Sequence, residues 1–169
     1  MNARLSRSSI IFLAGAACCL VWTCGVSAAK PDPAKKSASV EARLKKLDPF
    51  YKQHVVVGDV LVIGSEKVSK YALDEVAHLT RKMLANRPEA LQQFRKHISV
   101  MAYTEMQTAL PGCRGLSPWW DYRARGLGGQ TISCGEENVL SFKGDPWKGE
   151  NIFIHEFAHG LNGLFNSVD

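Results

Sequence analysis

The stretch Asp145-Pro146-Trp147-Lys148-Gly149-Glu150-Asn151-Ile152-Phe153-Ile154-His155-Glu156-Phe157-Ala158-His159-Gly160-Leu161-Asn162-Gly163-Leu164-Phe165 decides how the chain is read. Asp145-Pro146 forms a helix start, with Asp as N-cap and Pro at the first position, where its missing N–H costs nothing. The pattern predicts a helix from there to about Phe165. At about 100° per residue, Phe153, Ile154, Phe157, Ala158, Leu161, Leu164 and Phe165 share one arc, and Ile152, His155, Glu156, His159 and Gly163 the other. One arc is expected to pack and the other to remain open to chemistry.

His155 and His159 stand four residues apart, so their imidazoles project from adjacent turns of one face and suit a single ion, zinc above all. Glu156 follows the first histidine, where its carboxylate reaches a water on the metal without taking a ligand position. It is the candidate general base, passing the proton on to a leaving amine. Two histidines at the edge of a core, with a solvated Glu between them, form the plainer alternative. Against it, both histidines avoid the apolar arc and uncharged Phe157 and Ala158 fill the gap between them.

The rest of the chain gives this helix a setting. With 169 residues, 46% of them hydrophobic and 22% charged, the sequence suits one folded domain and a short processed segment. Arg4 and Arg7, the apolar run Ile10 to Val26 and the small residues Ser27-Ala28-Ala29 read as a cleaved export signal over residues 1–29. A retained anchor is the alternative; a lipoprotein through Cys24 is set aside because bulky Trp22 precedes it. Export places the mature chain outside the cell or in a periplasm, with no membrane attachment after cleavage. Residues 30–39, rich in Pro, Lys, Ala and Ser, read as a flexible linker, and residues 40–169 as the domain.

Without Arg4 and Arg7 the mature chain carries only about +3. Its basic residues are scattered, which excludes a nucleic-acid groove. Cys18, Cys19 and Cys24 leave with the signal, so Cys113 and Cys134 are expected to pair, with two free thiols as the alternative. A disulfide there would close a loop of roughly 20 residues and contribute on the order of 3 kcal/mol.

Along the domain, Glu41 to Tyr51 has a short helical pattern and Val55 to Ile63 reads as one buried strand. Ser69 is an N-cap for a helix to about Asn86, Pro88 starts a shorter helix to Lys96, and Ile98 to Tyr103 is a second strand. Thr108 to Gln130, with Trp119-Trp120, reads as a long ordered loop of the functional or stapled kind. Its Gly126 to Gly129 fits no phosphate-binding frame and reads as a backbone bend. Thr131 to Cys134 and Val139 to Phe142 are short strand candidates. The fold class is α+β: a small mixed sheet with packed helices and the histidine-bearing helix at its C-terminal end.

Asn151-Ile152-Phe153-Ile154-His155-Glu156-Phe157-Ala158-His159 resembles the active-site helix of the zincin metallopeptidases. The wider set Tyr103-Thr104-Glu105-Met106, Arg123-Ala124-Arg125-Gly126-Leu127-Gly128 and Ser133-Cys134-Gly135-Glu136-Glu137-Asn138 is similar to a group of secreted bacterial and fungal zincin-like proteins, a likeness that covers most of the chain after Val60. The resemblance implies the N-terminal part of a zincin-like catalytic domain, Zn2+ as cofactor and a peptide or protein as substrate. Hydrolysis would use a zinc-activated water with Glu156 as general base. It also implies an edge strand for extended substrate, for which Thr131 to Leu140 is the candidate.

A catalytic zinc takes three protein ligands and an open position. The metzincin pattern is excluded, since Asn162 and Phe165 occupy its Gly and His positions, and the gluzincin pattern asks for a Glu on a later helix. Three readings stay open: a fragment of a longer protein, which is preferred, Asp169 as third ligand, or an upstream residue. His54, His78 and His97 read as structural or surface residues. Tyr103 and Tyr122 are candidate hydrogen-bond donors to the oxyanion, Glu136 and Glu137 candidate partners of a histidine ring, and Arg123 and Arg125 candidates either to clamp a substrate carboxylate or to pin the loop. The competing functions are a non-catalytic secreted binding domain that recognises through Trp119-Trp120, and an inactive truncated zincin. The sequence sets neither peptide specificity nor oligomeric state.

Overall fold

The computed structural model describes residues 38–94, 96–129 and 131–166. The export signal, residues 30–37 of the linker and Asp169 lie outside them. Helix α1 (Ala38–Lys45) opens the domain and takes up the last two residues read as linker. A hairpin follows, β1 (Gln53–Val57) and β2 (Val60–Gly64). Then come α2 (Lys70–Met83), α3 (Pro88–Gln93) and β3 (His97–Met101). After two short 3-10 turns, α4 (Trp119–Arg123), β4 (Gly126–Leu127), β5 (Ile132–Gly135), α5 (Glu136–Val139) and α6 (Ile152–Phe165) complete the order.

The five strands form one mixed sheet in the order β1-β2-β3-β5-β4. β2, β3 and β5 run parallel, while β1 and β4 close the two edges antiparallel. The crossover that parallel strands require is supplied by α2 and α3. Side-chain alternation on the strands sorts the core in two. Val60, Val62, Ile98, Val100, Ile132 and Cys134 face α2, α3 and α6; Leu61, Ile63 and Met101 face α1 and the 3-10 turns. Sheet and flanking helices therefore make three layers with a core on each face.

The run Val55 to Ile63 is not one strand. Gly58, at φ +58°, and Asp59 form a two-residue turn, pairing Val57 with Val60, so the apolar run folds back on itself. α2 does begin after Ser69, and its buried Ala72, Leu73, Val76, Ala77 and Thr80 form one helical stripe. Its N-cap hydroxyl makes no capping bond, and instead the Ser69 N–H donates to Glu136 Oε2 at 2.7 Å.

The last helix starts later than Asp145-Pro146 suggests. Asp145 is buried and folds a tight turn, Oδ1 accepting from the Trp147 N–H at 2.9 Å, and the cap of α6 is Asn151, whose Oδ1 accepts from the Ile154 N–H at 3.0 Å. The packed stripe is also shifted from the expected arc: Ile152, Phe153, Phe157 and Gly160 are buried, while Ile154, Ala158 and Phe165 are exposed. Val139 to Phe142 is no strand but the end of α5 and a turn through Ser141.

The disulfide expectation is overturned. Cys113 and Cys134 are both free and buried. They stand in different cores, Cys134 beside Ile132 on the α6 face and Cys113 beside Leu110 on the other, so the sheet separates them. Among the described residues no helix is long and apolar enough to cross a membrane.

Candidate metal centre

α6 lies against β5 and the edge strand β4, and that contact positions the site. Phe157, fully buried, stacks on Phe153 and meets Phe94 edge-on, both with ring centroids at 5.3 Å, which fixes the rotation of the helix about its axis. With Phe157 pointing inward, His155, Glu156 and His159 are turned toward β4 and solvent.

The two imidazoles approach with Nε2 of His155 3.2 Å from Nε2 of His159. The candidate ligand atoms of His155, Glu156 and His159 all lie within 4.8 Å of one another, and no further His, Cys, Asp or Glu among the described residues joins them. Two nitrogens bound to one tetrahedral zinc at its usual bond length stand about 3.3 Å apart. The pair is thus spaced to share an ion. One neutral imidazole donating to the other gives a similar distance, so the spacing fits zinc without requiring it.

β4 approaches this face with backbone alone. A Cβ on Gly128 would lie 2.7 Å from Glu156 Oε2 and 2.8 Å from His159 Cβ, and one on Gly126 would overlap Ile152. Gly126-Leu127-Gly128 is therefore a ledge that only glycines allow so near α6. Burial holds the Glu156 carboxyl above its ordinary value, against the pull of His155, His159 and the Gly128 N–H, while the nearby Glu150 charge adds to the rise. Such a group is tuned toward proton transfer. Glu150 Oε2 stands 3.8 Å from His155 Nδ1, the ring nitrogen turned away from the pair, which is near but beyond hydrogen-bond reach.

A second network holds the approach to α6. Asn138, buried on α5, donates to Asp145 Oδ2, Trp147 O and Glu150 O, and its Oδ1 accepts from the Ile152 N–H. One side chain thus ties the turn at Asp145, the loop and the first residue of the helix. Asn138 belongs to the segment Ser133 to Asn138 that carries the resemblance, but nothing in its spacing announces this tying role.

Several candidate residues stand elsewhere. Glu136 accepts from the Ser69 and Tyr103 N–H groups, and Glu137 pairs with Arg125 at 2.6 Å, so neither orients a histidine ring. Arg125 also donates to Glu105 O and Ala102 O, which makes it the loop's pin. Tyr103 packs edge-on against Phe142, and Tyr122 is 87% exposed; neither lines the hollow beside His155 and Glu156. His54, His78 and His97 lie on β1, α2 and β3, apart from the pair. Thr131 to Leu140 is not an edge: β5 is internal, between β3 and β4, and the chain then enters α5. The edge beside α6 is β4.

No family model matches the chain, and no curated protein or solved structure matches it. The functional reading stands on the geometry.

Proposed function

We propose that this chain is an exported hydrolase of peptide bonds with a zincin-like fold, centred on His155, Glu156 and His159 and dependent on zinc. The 3.2 Å separation of the two Nε2 atoms carries the reading, since it matches the spacing of two nitrogens on one tetrahedral ion. The two imidazoles would hold the ion. Zinc, when bound, supplies Lewis acidity, making water a nucleophile near neutral pH and polarising a carbonyl. Glu156, beside the two imidazoles and not needed as a ligand, would take a proton from a water in the hollow and return it to a departing amine. An extended peptide would lie along β4, whose outer edge has no strand partner among the described residues.

A non-catalytic binding domain is the second reading. It is supported by the two histidines having, among the described residues, only Glu156 grouped with them, and by the exposed Trp119 at the same hollow.

Metal analysis of the purified chain beside two variants separates these. About one zinc per chain, lost in His155→Ala, is expected. Glu156→Gln is expected to keep the metal and lose peptide hydrolysis by about a hundredfold or more. A folded chain that takes up no zinc, or a Glu156→Gln variant as active as the parent, would sink the hydrolase reading.

A further inference from the structure

Two arginines, one residue apart from being neighbours, have opposite fates. Arg125 is spent inside the fold on Glu137 and two carbonyls. Arg123, at the last position of α4, is exposed and lines a hollow of about 340 Å³ that also takes in His155 and Glu156. Among the described residues Arg123 has no hydrogen bond or ion pair.

The wall around it is fixed. Asp121, in the middle of α4, accepts from both the N–H and the hydroxyl of Thr108 at 2.8 Å, while Arg125 pins the segment just beyond. Trp119 and Trp120 pack edge to face with centroids at 5.1 Å and complete an aromatic surface on that side. Two acids line the same hollow, and both lie on the histidine side of it: Glu156 is grouped with the two imidazoles, and Glu150 Oε2 stands 3.8 Å from His155 Nδ1. A guanidinium without a partner, next to an aromatic pair and in the same hollow as His155 and Glu156, is placed to receive a planar anion from a guest.

We propose that Arg123 is the carboxylate-binding residue of this site, and that the hollow selects peptides carrying a carboxylate next to an aromatic or bulky apolar residue. The guanidinium takes the carboxylate by its two-pronged donor edge, and the Trp119-Trp120 wall takes the apolar group. A carboxylate of either origin, a free peptide C-terminus or an acidic side chain, meets this requirement. The inference rests on His155, Glu156 and His159 being the hydrolytic centre, because it makes the hollow the substrate's seat.

The test reads binding apart from catalysis. The full chain carrying Glu156→Gln, loaded with zinc, is titrated by tryptophan fluorescence with acetyl-Ala-Phe as free acid, acetyl-Ala-Phe amide and acetyl-Glu-Phe amide. One of the two carboxylate-bearing peptides is expected to bind about tenfold or more tightly than the neutral amide, and which one assigns the origin of the carboxylate. Adding Arg123→Gln should bring that ratio close to one, and Arg123→Lys should restore part of it. A preference that survives Arg123→Gln, equal binding of all three peptides, or no saturable response to any of them would overturn the proposal. Should the parent chain hold zinc yet hydrolyse none of the peptides while the Arg123-dependent preference persists, the peptidase reading falls and the carboxylate seat stands.

Discussion

α2 and α6 are helices of equal length, 14 residues each, lying on the same face of one sheet and built to different ends. α2 turns Asp74, His78, Arg81 and Lys82 to solvent and ends on basic residues that complement its dipole. α6 has no acid in its first turn and no base in its last, and it exposes Ile154 and Phe165 together with the two histidines. The outward face of α2 is mainly charged, with the Tyr71 ring exposed among its polar residues, whereas that of α6 gathers one carboxylate and two imidazoles beside exposed Ile154 and Phe165. A helix can carry such a face where packing and outside anchors hold it, and the Phe153-Phe157 stack and Asn138 do so here.

The largest expected effect tests that contrast directly. Phe157→Ala should cost about 3–5 kcal/mol by chemical denaturation and, on the proposed zinc reading, also weaken metal uptake, because the ring sets the rotation of the helix. Leu73→Ala in α2 should cost about 2–5 kcal/mol while the folded fraction keeps its zinc. Equal metal loss in both would mean that the site belongs to the whole fold and not to α6. Next in size, Asn138→Ala leaves buried groups of the Asp145 turn and the Ile152 N–H without partners and should cost about 2–3 kcal/mol, with weaker zinc retention. The smallest effect sharpens the comparison at the caps. Asn151→Ala should lose about 1 kcal/mol, since that side chain caps α6. Ser69→Ala, whose hydroxyl caps nothing, should stay within about 0.5 kcal/mol in the same denaturation experiment.

The parts of the fold that could be read ahead were those in which one periodicity runs without interruption. The stripe of α2, the Pro88 start of α3 and the apolar β3 are of this kind. Val55 to Ile63 misled because its turn, Gly58-Asp59, is only two residues long and sits inside an unbroken apolar run; the hydrophobic signal outweighed the turn signal. Asp145 misled for a different reason: it caps a real turn, but Asn151 starts the helix six residues on. The cysteine spacing suggested a loop to close, yet spacing does not report which face of a sheet a residue occupies. The alternation of Ile132, Ser133 and Cys134 does place Cys134 with the helices, while nothing local places Cys113.

His155, Glu156 and His159 could be read as one cluster because they lie within about one turn of helix, and the structure groups them. The supporting groups could not. Glu137 is fully buried, which a charged residue permits only with a partner such as Arg125, and that partner is found only once the strands are paired. The division of labour between Arg123 and Arg125 depends on the same pairing, since both stand in one short polar segment.

The two thiols have a consequence for how the protein matures. Burial raises the pKa of both, Cys134 the more strongly, so each stays protonated and unreactive and packs as a small apolar side chain. No covalent bond has to form, and none has to be reshuffled, for the described domain to reach its fold. The described domain therefore needs no oxidising compartment to hold its two cysteines in place.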